Sequence, residues 1–478
     1  MPPLDWTRSA CHHTPVPSPL TIRIATAKLE TLDCHTRLPF RFGIHTLTGA
    51  PYATATVEIE AADGRRARGA ASDLLVPKWF EKDPALTPEQ DSAALVASAE
   101  AAFEVALKIP STTVFDLWWQ LYQNRVAQQP RSDSDLLVRG FGVALLERAM
   151  LDAACRLLDC SFFDALKNNL FAIQPGLVHE ELKDWDLAAD LPTSPAASIQ
   201  LRHTVGLLDA LTTAELDPAM APDDGLPNSL EEDVQRYGLQ WFKIKVAGRG
   251  QEDVDRLLAI ARVLKQNGIT QPRFTLDGNE QYQDMNQLAE LLQQVSATSE
   301  GAEFLRGLAF IEQPLSRDHT FDPSRHQGFD AVKAFAPVII DEADFGIWAF
   351  PDAIKLGYQG ISIKACKGVF RALLNRGICS IRGGGLFQSG EDLTNLPVRA
   401  LQQDLCLMTS LGIEHVERNG HHYFRGLDHL PAEEALAAMQ AHPDLYDSTA
   451  GTTALTIVHG RLETASLHCR GFGCRLNP

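Results

Sequence analysis

The sequence predicts a modified (β/α)8 barrel, similar to a TIM barrel, with an α+β capping domain. Three observations predict this fold class. The first part of the chain alternates apolar and polar residues as strands do, and then becomes helical. From about residue 198, short apolar runs recur, each followed by turn residues and a helix-like segment. Eight such runs occur, which is the number of strands that closes a barrel of this class.

Length and composition fit a large globular protein. The chain has 478 residues, of which 45% are hydrophobic and 22% charged, enough for two or more domains. The formal net charge of −18 argues against binding to nucleic acid or to an anionic membrane, but a local cationic pocket can still take an anionic substrate. Nine scattered cysteines predict reduced thiols in a cytoplasmic protein. We expect no signal peptide and no membrane span, because no apolar run is long enough.

Changes of pattern divide the chain into four expected parts. Residues 1–19 contain several prolines and are expected to be flexible. Residues 20–150 are expected to form the capping domain, with strands over TIRIATAKLETLDC, ATATVEIEAADG and RARGAAS followed by amphipathic helices. Residues 151–418 are expected to form the barrel, with a polar insertion or loop over 180–197. Residues 419–478 are expected to leave the barrel and return to the capping domain.

The barrel strands are predicted from the eight apolar runs. They are Ser198–His203, Trp241–Val246, Arg273–Asp277, Leu308–Glu312, Pro337–Asp341, Ile361–Lys364, Ile378–Arg382 and Ile413–Glu417. Seven of the runs end in a polar or charged residue, and the second run carries Lys245 one residue before its end. In barrels of this class the carboxyl ends of the strands carry the active site, so these terminal residues are candidates for chemistry.

Three carboxylates end three successive predicted strands: Asp277, Glu312 and Asp341. At one barrel mouth, three bare carboxylates repel one another and raise each other's pKa values. A divalent cation removes that repulsion, and oxygen ligands with room for water suit Mg²⁺ better than Zn²⁺. The alternative is that each acid separately caps the helix that follows it.

Two lysines alternate with apolar residues in the stretch Trp241–Val246. Lys243 and Lys245 therefore share one face of a strand, and that face is the barrel interior if the apolar side chains contact the helices. An edge strand with solvated lysines is the alternative. Lys364 ends the sixth strand, across the barrel from the second. Nearby Mg²⁺, partial desolvation and a second cation would lower a lysine pKa from about 10.4 towards neutrality, so that the amine can act as a base.

Together these residues resemble the enolase superfamily, in the mandelate racemase/muconate lactonizing enzyme family and its muconate lactonizing subgroup. The motifs FKIKV, LDGNE, FIEQPL, IIDEA and SIKACKG carry the resemblance over about residues 241–368. The resemblance implies a capping domain before the barrel and Mg²⁺ as cofactor. The implied Mg²⁺ ligands are Asp277, Glu312 and Asp341.

The resemblance also implies roles for the neighbouring residues. Lys245 and Lys364 would be the acid/base lysines, and Lys243 would assist Lys245 and bind the substrate carboxylate. Asn279 and Glu342 would support the metal ligands from outside. The stretch ICSIRGGG carries no histidine, which departs from the mandelate racemase subgroup.

Several further residues are candidates for substrate contact. Aromatic residues in the PFRFG and VPKWF stretches could form a lid over the mouth or could anchor these loops in the core. The candidates are Phe42, Trp79, Phe80, His203, His415 and Glu417. Gly383–Gly385 could form an anion-binding nest or a tight turn, and His421 and His422 are expected to be structural.

The resemblance implies abstraction of the proton α to the carboxylate of a small-molecule substrate, giving an enediolate stabilised by the metal. A racemase or epimerase, or a cycloisomerase, is the first expectation, because two opposed lysines permit proton transfer on both faces of one carbon. An acid-sugar dehydratase and a non-catalytic binding protein are the alternatives. Assembly into a homo-oligomer is left open.

Overall fold

The computed structural model describes residues 19–130, 135–217, 219, 221–449 and 451–478. Except for its last residue, the expected flexible segment 1–19 lies outside the described residues.

A four-stranded antiparallel sheet forms one layer of the capping domain, in the order β3-β2-β1-β4. Its strands are β1 (Thr21–Phe42), β2 (His45–Ala61), β3 (Arg66–Leu74) and β4 (Thr112–Thr113). Along β2, Ala55, Val57 and Ile59 are fully buried, whereas Thr56 and Glu58 between them are partly exposed. This period of two is the signal that predicted the strands.

Helices cover the buried face of this sheet. They are α1 (Pro88–Ala106), α2 (Val114–Tyr122) and α3 (Leu136–Leu158). Thr87 caps α1 and forms a capping box with Gln90. The helix α3 packs so closely on β3 that a side chain at Gly69 would collide with the backbone of Ala149.

Eight parallel strands close into a barrel, since the last of them pairs with the first. They are β5 (Ser198–Val205), β6 (Trp241–Lys245), β7 (Arg273–Asp277), β8 (Leu308–Glu312), β9 (Val338–Ile340), β10 (Gly360–Ile363), β11 (Phe387–Gly390) and β12 (His415–Arg418). The predicted fold class, a modified TIM-like barrel with a separate α+β cap, is confirmed.

Helices connect α3 to the barrel and surround it. They are α4 (Phe162–Lys167), α5 (Leu187–Asp190), α6 (Leu230–Tyr237), α7 (Gln251–Gln266), α8 (Met285–Ser296), α9 (Ser299–Leu305), α10 (Phe329–Lys333), α11 (Ala349–Lys355), α12 (Val369–Arg382) and α13 (Arg399–Ser410). Among the helices that the structure describes, none is long and apolar enough to cross a membrane.

The seventh barrel strand is not where the sequence pattern placed it. Ile378–Arg382 forms the end of α12, whose buried Phe370, Leu374 and Ile378 recur every four residues, as on one face of a helix. The strand is instead β11, a short stretch with little apolar character. Gly383–Gly385 is the turn between them, with φ from +59° to +77°, so it lies at the opposite end of the strand from the mouth.

The polar stretch 180–197 is packed against the barrel. It contains α5, and its Leu182 and Leu187 are buried. Arg376 on α12 donates from Nε to Asp190 at 2.8 Å and so holds α5 in place.

The C-terminal part of the chain returns to α3. It contains α14 (Gly420–Tyr423), α15 (Ala432–Ala441), the hairpin β13 (Tyr446–Thr449) and β14 (Thr452–Leu455), and β15 (Arg461–Glu463), which pairs antiparallel with β5. The backbone N–H of Phe472 donates to Asp152 on α3 at 2.8 Å. The eight cysteines in the described part of the chain are free thiols.

Candidate active site

Strand register brings the predicted lysines and acids to one level of the barrel. Lys245 on β6 pairs with Asp277 on β7, which pairs with Glu312 on β8. Lys243 and Lys245 point inward and are only 1% and 6% exposed. The alternation of the WFKIKV stretch therefore places its lysines in the barrel interior and its apolar residues against the helices.

Lys243 is surrounded by carboxylates. Its Nζ lies 3.0 Å from Asp277 Oδ2, 2.6 Å from Glu312 Oε2, and 2.8 Å from an oxygen of each of Glu391 and Glu417. Burial alone would lower the pKa of Lys243, but these four anions raise that pKa well above its usual value. Lys243 is therefore a fixed positive charge.

The other two lysines each face one metal-ligand candidate. Lys245 Nζ lies 2.6 Å from Asp277 Oδ2, and Lys364 Nζ lies 2.5 Å from Asp341 Oδ2. Burial would lower the pKa of Lys364, but the adjacent Asp341 raises it above its usual value. This direction is opposite to the one expected for a base, because the carboxylate faces the amine directly.

The three candidate metal ligands are at most 1% exposed but do not converge on one point. Asp277 and Glu312 meet at Lys243, whereas Asp341 lies beside Lys364 and Lys367. Among the described residues, the one group of three His, Cys, Asp or Glu side chains whose ligand atoms all lie within 4.8 Å of one another is a different one, considered further below.

Glu312 nevertheless has the surroundings that a metal ligand needs. Neither of its oxygens accepts a hydrogen bond of good geometry, although Oε2 is near Lys243. Burial and the neighbouring Asp277 and Glu391 raise the pKa of Glu312 well above its usual value. A divalent cation would give the unpartnered oxygens of Glu312 a partner and would stabilise its ionised form. The carboxylates of Asp277, Glu312 and Asp341 therefore fit Mg²⁺ in ligand type and in charge.

Asn279 and Glu342 lie beside these ligands. The backbone N–H of Asn279 donates to Asp277 Oδ1 at 2.8 Å, and its Nδ2 donates to Glu342 Oε1 at 3.3 Å. Burial raises the pKa of Glu342 to about 7, with Lys82 of the cap, 3.9 Å away, acting in the other direction. Asn279 thus fixes the orientation of Asp277.

A pocket of about 310 Å³, including solvent at its opening, lies between the barrel mouth and the cap. Its lining residues are Phe40, Phe42, Val76, Trp79, Lys245, Asn279, Lys364, Asp392, Leu393, Thr394, Glu417 and Asn419. The ring of Trp79 has its centroid 4.6 Å from Lys364 Nζ. The pocket thus has an aromatic wall from the cap and a charged floor from the barrel.

One known protein family matches part of this barrel. The family described as Enolase C-terminal domain-like matches residues 226–380, which contain both lysine strands and all three acids. The matched part runs from just before α6 into α12 and so lies within the barrel. The resemblance to the mandelate racemase/muconate lactonizing enzyme family is confirmed.

Solved structures share the fold of the whole chain. A muconate lactonizing enzyme from Pseudomonas fluorescens complexed with muconolactone has a TM-score of 0.60 at 13% identity, over 95% of this chain and 97% of that one. A dipeptide epimerase from Enterococcus faecalis complexed with Mg and L-Leu-L-Tyr has a TM-score of 0.56 at 14% identity, over 94% and 99%. An enolase from Bradyrhizobium complexed with magnesium and mandelic acid has a TM-score of 0.55 at 15% identity, over 92% and 95%. The comparison with curated proteins gives no match.

Three predicted substrate contacts lie away from the pocket of this enolase-superfamily barrel. Phe80 packs inside the cap, with its ring centroid 5.1 Å from that of Phe141. His415 points into the barrel at its amino end, where it stacks on Trp241 at 4.0 Å. His203 lies on the outer face of β5, facing Asp233 of α6. Its sequence neighbours Arg202 and Thr204 point into the barrel, so His203 points outward.

Four further residues belong to the site although the sequence analysis did not select them. Arg202 on β5 forms an ion pair with Glu391, which follows the true seventh strand. Thr204 donates to Glu417 at 2.7 Å. Asp392 lines the pocket, and burial raises its pKa to about 7. Spacing offered one signal, since Glu391 follows Lys364 by 27 residues and precedes Glu417 by 26.

A polar clamp joins the aromatic loop of the cap to the barrel. Arg317, after β8, donates to the carbonyl oxygens of Trp79 at 2.7 Å and Phe80 at 2.9 Å. Glu280, after β7, binds Arg317 at 2.9 Å and also pairs with Lys82 of the cap. The clamp holds Trp79 over the pocket.

Proposed function

We propose that this chain is a Mg²⁺-dependent enzyme that removes the proton α to the carboxylate of a small-molecule acid. One observation carries the proposal: Lys245 and Lys364 come from the second and sixth strands of eight, on opposite sides of the barrel, and line the same pocket. Such a pair can reach both faces of one carbon.

The metal would be held by Asp277, Glu312 and Asp341. When bound there, it supplies Lewis acidity that stabilises the negative charge of the enediolate. With the metal bound, Asp341 would hold the amine of Lys364 less strongly, and the pKa of Lys364 would fall towards that of a base.

The other residues have supporting roles in this proposal. Lys243 keeps Glu391 and Glu417 as partners when the metal takes Asp277 and Glu312, so it serves as a fixed positive charge near the substrate carboxylate and not as a base. Trp79, Phe40 and Phe42 form the apolar wall that excludes water from the reacting carbon. We infer a substrate that is a small carboxylic acid with an apolar or aromatic group.

Racemisation or epimerisation is the reaction that two opposed lysines favour. Cycloisomerisation is the second candidate, because Lys364 is held between Asp341 and the Trp79 ring, a position that also suits a purely electrostatic role. The neighbours named above include both a dipeptide epimerase and a muconate lactonizing enzyme.

Solvent exchange tests the proposal before the substrate is known. The protein is incubated with Mg²⁺ in D₂O against a panel of N-acyl amino acids, dipeptides, 2-hydroxy acids, sugar acids and muconolactones. We expect deuterium at the α-carbon of at least one class, lost on chelation and restored by Mg²⁺. Loss of water from sugar acids would instead indicate the dehydratase. Binding of an acid without exchange or turnover would contradict the proposed catalysis.

A further inference from the structure

A second cluster of metal-ligating side chains lies on the outer face of the barrel, near its mouth. His203 is on β5, Asp233 on α6 and His421 on α14. One ligand atom from each of the three lies within 4.8 Å of those of the other two. All three are buried, His421 least so at 9% exposed. Three elements that are distant in sequence thus bring two imidazoles and one carboxylate together.

Hydrogen bonding leaves much of this cluster unsatisfied. Neither oxygen of Asp233 accepts a hydrogen bond of good geometry, although Oδ2 lies 2.7 Å from Nδ1 of His422 and 3.6 Å from Nε2 of His203. Nδ1 of His421 also lacks a partner. A buried carboxylate without hydrogen bonds is costly unless a cation faces it. Asp233 therefore has two imidazoles close to it and accepts an aligned hydrogen bond from neither, which is the arrangement of a ligand that faces a cation.

The distances within the cluster fit a small cation. His421 Nε2 and His203 Nδ1 form a hydrogen bond of 3.0 Å, so these two nitrogens are close enough to bind one ion in its place. Two ligands of a tetrahedral ion at 2.0–2.1 Å are separated by about 3.3 Å. Imidazole nitrogens with a carboxylate oxygen favour Zn²⁺ and similar ions, whereas Mg²⁺ favours oxygen alone.

We propose that His203, Asp233 and His421 bind a divalent transition-metal ion of the Zn²⁺ class, at a site separate from the Asp277, Glu312 and Asp341 set. His422, beside Asp233, is placed to complete the coordination or to orient the carboxylate.

Such an ion would fasten α14 to the barrel. The segment that begins α14 carries Asn419, which lines the pocket. The ring of Tyr423 stacks on Phe40 of the cap at 4.2 Å, and Arg37 of the cap donates to the carbonyl oxygen of His422 at 2.8 Å. The ion would therefore support the contact between cap and barrel without touching the substrate.

Zn²⁺ itself is the probe. The full-length protein is loaded with Zn²⁺ in an excess of Mg²⁺, dialysed, and assayed for metal per chain. We expect about one Zn²⁺ per chain in the wild type, and almost none in His421→Gln and Asp233→Asn. His326→Gln, which removes a ring that contacts Tyr358 outside the cluster, and Asp277→Asn, in the barrel mouth, should both retain the ion.

Two results would overturn the proposal: no Zn²⁺ retained by the wild type, or Zn²⁺ retained by His421→Gln but lost from Asp277→Asn. Should the cluster variants fail to fold, the Co²⁺-loaded wild type decides. Strong visible absorption typical of tetrahedral, nitrogen-ligated Co²⁺ supports the site, and the weak spectrum of octahedral, oxygen-ligated Co²⁺ overturns it.

Discussion

Lys243 and Lys245 lie two residues apart on one strand, yet their surroundings differ. Lys243 contacts four carboxylates and lies below the pocket, whereas Lys245 contacts Asp277 and lines the pocket. A base must both reach the substrate and release its proton, and only Lys245 has the access. The strand period of two places both amines inward, and the one-layer difference in depth separates their roles.

The two pocket lysines can be tested one at a time. Lys245→Met and Lys364→Met retain the bulk of the side chain but remove the amine. If protons move on both faces of the α-carbon, each variant should lose turnover, and each should retain deuterium exchange with one stereoisomer only, opposite between the two. The measurement is NMR of exchange into each enantiomer, with the surface variant Lys355→Met as control.

Other outcomes of this experiment assign other roles. Exchange that is lost in Lys245→Met but intact in Lys364→Met would make Lys364 an electrostatic support and would favour cycloisomerisation. Exchange unaffected in both variants would refute the lysine mechanism.

Residues that end visible apolar runs were predictable from sequence, and the others were not. Asp277, Glu312 and Asp341 follow buried strands rich in Ile, Leu and Phe, so their positions could be predicted. His203 also ends such a run, but side chains alternate between the two faces of a strand, and His203 falls on the outer face. Glu391 follows the polar strand β11, which offers no hydrophobic pattern to mark it.

At the scale of elements, β11 shows what the pattern missed. A central barrel strand is usually apolar because helices cover its outer face. The residues of β11 are Phe-Gln-Ser-Gly, and its partly exposed Gln388 donates to the carbonyl oxygen of Ala372 on α12 at 2.7 Å. Backbone pairing with β10 and β12, together with this side-chain hydrogen bond, places the strand in the sheet without hydrophobic alternation.

The junction of α3 with α12 contains a buried acid. Glu147 on α3 accepts a hydrogen bond from the backbone N–H of Phe370 at 2.6 Å, at the first turn of α12. Burial raises the pKa of Glu147 from 4.5 to about 8, because its second oxygen has no partner and desolvation outweighs the backbone hydrogen bond. The folded protein therefore holds a proton here at neutral pH that the unfolded chain releases.

This proton makes stability depend on pH. Between about pH 4.5 and 8 the folded state binds more protons than the unfolded state at Glu147, so stability falls as pH rises, by at most about 1.4 kcal/mol per unit. Glu147→Gln does not titrate, so its stability relative to wild type should increase from pH 5 to 8 and then level off. Urea unfolding at several pH values measures this, with Glu104→Gln on the exposed face of α1 as control. A difference between variant and wild type that stays constant with pH would contradict the prediction.

The clamp between cap loop and barrel is the second element-scale contact to test. Arg317→Met removes the donors to Trp79 and Phe80 but keeps much of the side-chain volume. A charge-assisted hydrogen bond contributes about 1.5–3 kcal/mol, so we expect KM for the exchanging substrate to rise roughly ten-fold or more, with a smaller change in kcat. Arg306→Met, on an exposed side chain, should change neither. An unchanged KM in Arg317→Met would mean that the loop is held by its packing alone.

At the scale of the whole molecule, the strands of the cap and the last residues of the chain meet at α3. The first strands form the sheet that α3 covers, and the last residues bind its C-terminal half. Arg156 on α3 donates to the carbonyl oxygens of Cys474 and Leu476 at 2.7 and 3.0 Å. Phe472 is fully buried and stacks on Phe162 of α4 at 4.0 Å. Cap, barrel and tail therefore share one helix, which couples their unfolding.

Removing the anchor of the tail should accordingly destabilise the entire protein. Phe472→Ala leaves a cavity between α3 and α4, and a buried Phe-to-Ala change costs about 3–5 kcal/mol. We expect calorimetry to show one unfolding transition at a lower Tm, with cap and barrel still melting together. Leu436→Ala, at a position that is 48% exposed on α15, should shift Tm little. If Phe472→Ala instead splits the transition, with the barrel melting at the wild-type temperature, the tail stabilises the cap alone and α3 does not couple the two domains.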